Sequence, residues 1–331
     1  MLMKSYQSLF MTTLMMGTIV AGSSSSWFTC WLGLEINLMS MIPLFIIKLN
    51  PQSTETAIKY FLTQALASLI IIFISLIDSS FVMNNFMMTS NNLIFLALLT
   101  KAGIPPFHFW FPQVMKSSEW VLCALLVSWQ KVAPFVLASL VATPQATILA
   151  ITASCAVGAL GGLNQISMKA IVTYSSIAHS GWMLAVVFLS VGAWMIYFMG
   201  YCFITITLIY MVMKSSMVSI HEFNKMKWDL LPKYTFTSTV MSLGGLPPFL
   251  GFAVKLYAIQ LLMPAFMLVS LILISSSLVS LFYYTRLIYS SLMMKSQSSF
   301  LFVLAKMKTP KNFLVVALGG NFLVPLMVYL I

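Results

Sequence analysis

The sequence predicts an all-α, polytopic membrane protein with about eleven transmembrane helices. Three observations predict it: an apolar composition, a series of apolar segments of membrane-spanning length, and basic charge gathered on one side of those segments. The chain has 331 residues, of which 60% are hydrophobic and 7% charged. Its mean hydropathy is +0.99. A soluble domain carries roughly 25% charged residues, so this chain cannot cover itself with a wetted surface. A bilayer is the solvent that fits it.

Apolar segments separated by polar or Pro/Gly breaks fall at roughly 5–22, 26–49, 55–80, 91–112, 118–141, 145–163, 168–190, 193–218, 234–262, 264–291 and 310–331. A spanning helix needs about 20 mostly apolar residues, which suits these lengths. Membrane barrel strands would be shorter and alternate in polarity. The first run, Leu9 to Ala21, imitates the apolar core of a signal peptide but lacks a basic start. It reads as the first span, with no cleavable signal before it.

Charge placement tests the count. With the N-terminus on face A, that face collects fourteen of the 17 Lys and Arg residues, from Lys4, Lys48, Lys59 and Lys116 through Lys225 and Lys227 to Lys295, Lys306, Lys308 and Lys311. Arg286 lies near the same end of its helix, and face B holds no Lys or Arg. Inner faces of membranes collect Lys and Arg in short loops, so face A is the inner one and the C-terminus lies outside. The net charge of +11 is therefore topology rather than a nucleic-acid footprint. Glu119, Glu222 and Asp229 read as loop charges, and Asp78 marks the end of the third span.

The chain also repeats itself. Gly103-Ile104-Pro105-Pro106-Phe107 recurs as Gly245-Leu246-Pro247-Pro248-Phe249. A double proline removes two helix donors and clashes with the preceding turn, so the fourth and ninth spans should each be broken there. Those spans are an odd number apart and so run in opposite directions. The expectation is a single membrane domain over 1–331. It is built from a first five-helix repeat at 5–141, an inverted second repeat at 145–291 and an extra helix at 310–331. Paired broken helices in corresponding halves point to a transport site.

The three remaining basic residues, Lys101, Lys131 and Lys255, fall inside spans, as do Glu35 and His179. A charge at a helix centre costs roughly 2.5–3.5 kcal/mol on the insertion scale. Such groups mark ion pathways when a protein-lined, hydrated interior uses them. Each has a structural alternative. Lys101 would form a static ion pair with Glu35, Lys131 would be a buried and satisfied lysine, Lys255 would snorkel towards face B, and His179 would be a hydrogen-bonded core histidine. His179 precedes Pro247 by about as many residues as Glu35 precedes Pro105, which suits repeat counterparts. His108, just past the first break, reads as a loop-fixing residue. Burial disfavours a charged ammonium and a nearby carboxylate favours it, so a movable acid beside a buried lysine can load or release a proton. In that scheme Glu35 and Lys101 form the switch, Lys131 the central relay and Lys255 the exit side.

The four cysteines, Cys30, Cys123, Cys155 and Cys202, sit singly in apolar runs and read as small buried hydrophobes. The sequence has no haem-attachment motif, iron–sulfur cysteine cluster, dinucleotide fingerprint or P-loop. Redox or ATP energy would have to come from partner subunits.

Several stretches together resemble the antiporter-like subunits of respiratory complex I, the mitochondrial NADH:ubiquinone oxidoreductase. They are Trp31-Leu32-Gly33-Leu34-Glu35-Ile36-Asn37-Leu38, Glu55-Thr56-Ala57-Ile58-Lys59-Tyr60-Phe61-Leu62, Lys101-Ala102-Gly103 running into Pro106-Phe107-His108-Phe109-Trp110, and Trp129-Gln130-Lys131-Val132-Ala133-Pro134. Gly161-Gly162-Leu163-Asn164-Gln165, Tyr174-Ser175-Ser176-Ile177-Ala178-His179-Ser180-Gly181-Trp182 and Ser242-Leu243-Gly244-Gly245-Leu246-Pro247-Pro248 continue the likeness. It runs through nearly the whole chain, apart from its last forty residues. The resemblance implies inverted five-helix repeats with a broken helix in each. It implies that Glu35 and Lys101 match the family's coupling pair, Lys131 its central lysine and Lys255 the lysine of the second broken helix. It implies proton translocation coupled to electron transfer from NADH to ubiquinone, with no cofactor on this chain. NADH, FMN, iron–sulfur clusters and ubiquinone would be bound by partner subunits. Other membrane-arm subunits and membrane lipids are the expected partners, not nucleic acid. Eleven helices, 26 methionines and the lack of a targeting peptide look like a chain encoded in an animal mitochondrion. The expected location is thus the inner mitochondrial membrane with the N-terminus in the matrix. The alternatives are a cation/proton antiporter subunit of the related type and a spacer that pumps nothing, against which the buried lysines argue.

Overall fold

The computed structural model describes residues 2–48, 50–80, 84–220, 222, 230–292 and 311–328. The side chains of Lys4, Asp78 and Lys311, and all of Lys225, Lys227, Asp229, Lys295, Lys306 and Lys308, lie outside the described residues.

Among the described residues the regular elements are helices: α1 (Leu2–Ser23), α2 (Trp27–Ile46), α3 (Pro51–Ser80), α4 (Asn84–Ala102), α5 (Trp110–Ser117), α6 (Trp120–Val127), α7 (Trp129–Val141), α8 (Pro144–Leu163), α9 (Met168–Leu189), α10 (Val191–Ser215), α11 (Leu230–Gly244), α12 (Leu250–Leu262), α13 (Met267–Leu292) and α14 (Lys311–Val328). Among the described residues every apolar segment of the sequence forms helix. Three of them are split in two, as α4–α5, α6–α7 and α11–α12. Seven helical stretches among the described residues, counting α6 and α7 together, are long and apolar enough to cross a membrane by length and hydropathy. The outer surface carries large apolar side chains such as Leu66, Phe73, Leu149 and Leu268, each more than half exposed. Such a surface suits lipid and not water.

Two of the breaks are the predicted ones. Gly103 and Gly245 each take a left-handed backbone, with φ of 70° and 77°, a conformation that costs a side-chain-bearing residue but not glycine. Each is followed by the double proline, whose missing N–H groups cannot continue the helix. The third break, at Ser128 (φ −104°, ψ −82°), separates α6 from α7. The sequence reading runs the fifth span straight through this point. Pro134 inside α7 is the one nearby residue that signals an irregular ladder.

The chain divides into two compact units, 1–153 and 154–331, with the division inside α8. In the first unit α1, α2, α3, α4 and α7 pack in sequence. Gly33 allows the closest approach, since a Cβ there would lie 2.8 Å from the Gly17 carbonyl oxygen on α1. Small residues at such crossings are how helices gain packing in lipid, where burial from water drives nothing. In the second unit α9 and α10 pack together and α12 lies against both, with α11 between α10 and α13.

Candidate functional site

In the first unit α2, α3, α4 and α7 bring polar groups into an apolar interior. Lys101 ends α4 and is buried, at 6% exposure. The break that follows leaves the last carbonyls of α4 without helical donors. Other side chains satisfy them: Gln64 Nε2 donates to the Lys101 carbonyl at 3.3 Å, and Trp110 Nε1 to the Thr100 carbonyl at 2.9 Å. Beside Lys101 lies a small polar cavity of about 10 Å³, lined by Asn37, Tyr60, Gln64, Lys101 and Gln130 among others. That is room for roughly one water. Across it Gln130 Nε2 donates to Asn37 Oδ1 at 2.9 Å.

Glu35, on α2, is half-buried and accepts a hydrogen bond from the Ser68 hydroxyl on α3. It lies within electrostatic range of Lys101. The ion pairs among the described residues are, however, Lys48–Glu119 at 2.9 Å and Lys59–Glu55 at 2.6 Å. Glu35 and Lys101 are therefore a separated pair and not a bridge.

Lys131 is almost wholly enclosed, at 2% exposure. The break at Ser128 places it in the first turn of α7, where its backbone N–H bonds the Ser128 carbonyl at 3.2 Å. Its ammonium sits 5.7 Å from the centre of the Phe111 ring, within cation–π range. Gln130, its neighbour in sequence, lines the cavity beside Lys101. The first unit thus holds Glu35, Lys101 and Lys131 on α2, α4 and α7, the helices whose Asn37, Lys101 and Gln130 line the cavity. His108 stays in the connection, with Nδ1 3.3 Å from the Pro106 carbonyl oxygen, as expected of a loop-fixing residue.

In the second unit His179, on α9, is buried, and its Nδ1 lies 2.9 Å from the Tyr197 hydroxyl on α10. The Tyr201 ring packs 5.1 Å from the imidazole. Lys255, on α12, is also buried. It does not run to the surface, because its ammonium donates to the Leu243 and Gly244 carbonyls at 3.3 and 3.1 Å. These are the carbonyls freed at the end of α11. A Cβ at Gly245 would come within 2.9 Å of Lys255 Cδ, so the lysine stem would have to shift.

Sequence reasoning singled out the charged members of these clusters and missed their neutral neighbours, Asn37, Tyr60, Gln64, Ser68, Gln130, Tyr197 and Tyr201. One sign was present: amides and hydroxyls are costly in a membrane interior unless partnered. Which helix faces which is not written in a single sequence. No group of three or more His, Cys, Asp and Glu side chains close enough to hold a metal occurs among the described residues.

Broken helices ending beside buried ammonium groups, inside a lipid-facing shell, are the build of an ion-translocating membrane subunit. The chain belongs to the family described as NADH:quinone oxidoreductase/Mrp antiporter, TM, whose model matches residues 24–282, and within it to the relatives named NADH-ubiquinone oxidoreductase chain 2. It is 39% identical to that protein of Anopheles gambiae over 303 residues, covering 89% of both chains. It is 40% identical to that of Lumbricus terrestris over 301 residues, 86% of both. Among solved structures, it superposes on a chain of respiratory complex I from Thermus thermophilus with a TM-score of 0.82 at 23% identity, covering 98% of this chain and 78% of that one. The Mrp complex from Dietzia sp. DQ12-45-1b gives 0.76 at 17% identity, covering 85% of this chain and 59% of that one. Both show the shared fold.

Proposed function

We infer that this chain is a core membrane-arm subunit of NADH:ubiquinone oxidoreductase and takes part in the proton translocation coupled to electron transfer from NADH to ubiquinone. The observation that carries the reading is its identity of 39% across 89% of a chain 2 relative. It is a multi-pass protein of the inner mitochondrial membrane and works with the other membrane-arm subunits. Redox centres, including FMN and iron–sulfur clusters, and the NADH and ubiquinone sites belong to partner subunits. The N-terminus faces the matrix and the C-terminus the intermembrane space, following the basic residues.

Within the chain, Glu35 and Lys101 act as the switch. A carboxylate close to a buried ammonium favours the charged form, and withdrawing it favours release. The separated pair, with Glu35 held by Ser68, suits a partner that can move. A proton leaving Lys101 passes to a water in the water-sized cavity, which the Asn37–Gln130 pair orients, and moves on from that water towards Lys131. His179 is the counterpart of Glu35 in the second, inverted repeat, and Lys255, on the second broken helix, is the exit side. Each unit links its titratable residue to a hydroxyl on the next helix, Glu35 to Ser68 and His179 to Tyr197, which supports the repeat at residue level.

The second reading, a cation/proton antiporter subunit, is favoured by one observation, the fold shared with the Mrp chain. Detergent extraction of the native membrane, native-gel separation and peptide identification of the band decide between them. Comigration with a very large assembly that oxidises NADH with a quinone acceptor supports the first. Migration in a small assembly without that activity overturns it in favour of exchange.

A further inference from the structure

The break regions of the two units are alike in backbone, yet differently covered. In the second unit α14 lies across α11 and α12. Its Phe322 ring packs 5.1 Å from Phe249, the residue that closes the break, and its Phe313 ring packs 4.3 Å from Tyr210 of α10. Phe107 is the counterpart of Phe249 in the first unit, where it closes the same Gly-x-Pro-Pro-Phe turn. No element among the described residues lies over it. Phe107 is 49% exposed and stands in an open apolar groove of about 470 Å³ walled by α3, α4 and the start of α5. Thr63 and Ile70 line the α3 wall, spaced two helical turns apart like Phe203 and Tyr210, which meet α14 on α10.

We propose that this groove is the docking site for one transmembrane helix of a partner subunit, which seats a large apolar side chain on Phe107 as α14 seats Phe322 on Phe249. The occupant follows from the chain's own repeat: the same three-walled surface, where it is covered, is covered by an apolar helix. The groove's α3, α4 and α5 walls offer a seat for one face of a helix, as the α10, α11 and α12 surface does for α14. In lipid, such contacts gain by close packing and not by exclusion of water. That is the value of a concave wall over a flat one. The proposal does not depend on the proton relay. It requires that the chain be assembled with other membrane subunits, and so rests on the complex I reading to that extent.

The test uses the full chain assembled in its native complex, carrying Leu66→Cys or Phe107→Cys, each labelled with a thiol-reactive benzophenone and irradiated in the membrane. Leu66 lines the groove and is 61% exposed, so its replacement leaves packing intact should Phe107→Cys fail to assemble. Leu140→Cys, on the equally exposed outer face of α7, is the control. The expected result is a cross-link from both groove positions to the same apolar segment of another subunit, several-fold more abundant than from position 140. Adducts confined to lipid, or to residues of this chain itself, overturn the proposal. An intact complex with lipid adducts leaves the functional reading standing, whereas absence of the chain from any large assembly overturns that reading instead. Imaging of the unlabelled complex gives a second measure: rod-shaped protein density against Phe107 supports the proposal, and acyl-chain density there overturns it.

Discussion

The Lys255 ammonium donates to the carbonyl oxygen of Gly244 at 3.1 Å, closing with its own side chain the helix end that the double proline opens. The lysine thereby has two attributes, a buried positive charge and a structural cap. They separate by substitution. Lys255→Met should lower the thermal stability of the assembled membrane arm, because hydrogen bonds to a charged group are worth about 1.5–3 kcal/mol. Lys255→Arg should restore most of that stability. If the methionine variant inactivates at the same temperature as the parent, the cap contributes nothing.

Gly103→Ala and Gly245→Ala should both reduce assembly, since a left-handed backbone costs a non-glycine residue about 1–2 kcal/mol. The first should be worse, because its new Cβ meets Phe111 Cβ, held by the backbone, at 3.1 Å, whereas that of Gly245→Ala meets the flexible Lys255 stem at 2.9 Å. The yield of complex on native gels ranks the two variants, and an equal yield would contradict the packing argument.

Gln130→Leu should uncouple transport without unfolding the subunit. It removes the donor to Asn37, which is buried, and dries one wall of the cavity beside Lys101. The expected readout is NADH oxidation close to normal with fewer protons moved per NADH in sealed vesicles, rescued in part by Gln130→Glu. Unchanged stoichiometry in the leucine variant would remove the Asn37–Gln130 pair from the pathway.

Lys101→Met and Lys48→Met form a contrasting pair. The first removes a buried charge from the cavity wall and should abolish proton translocation by this subunit. The second breaks only the Lys48–Glu119 bridge, whose side chains are 68% and 51% exposed. Such bridges contribute about 0–1 kcal/mol, so activity and stability should stay near the parent's. A strong loss in Lys48→Met would give that bridge a role its exposure does not suggest.

Much of the architecture is legible in the sequence because lipid imposes simple rules. An apolar run of about twenty residues must be a helix, because its backbone groups have no other partner. Two prolines after a glycine must end one. The break at Ser128 is not legible in the same way, because its cause lies in the packing around it and Pro134, six residues on, is a weak sign. The buried lysines are conspicuous for their cost in lipid. Tyr60 and Gln64 look ordinary on α3 and become part of the site only because α3 turns them towards Lys101. Lys255 shows the same limit, as no count along the chain reveals that its ammonium turns back to the end of α11.

The size of the cavity beside Lys101 also sets what the proposed relay could carry. A space for a single water is too narrow for a metal ion that keeps its hydration shell. A proton needs no such space, because it crosses by exchanging bonds with the molecule already there. A relay through this cavity, as proposed above, would select by size of entourage and admit the one cation that travels without any.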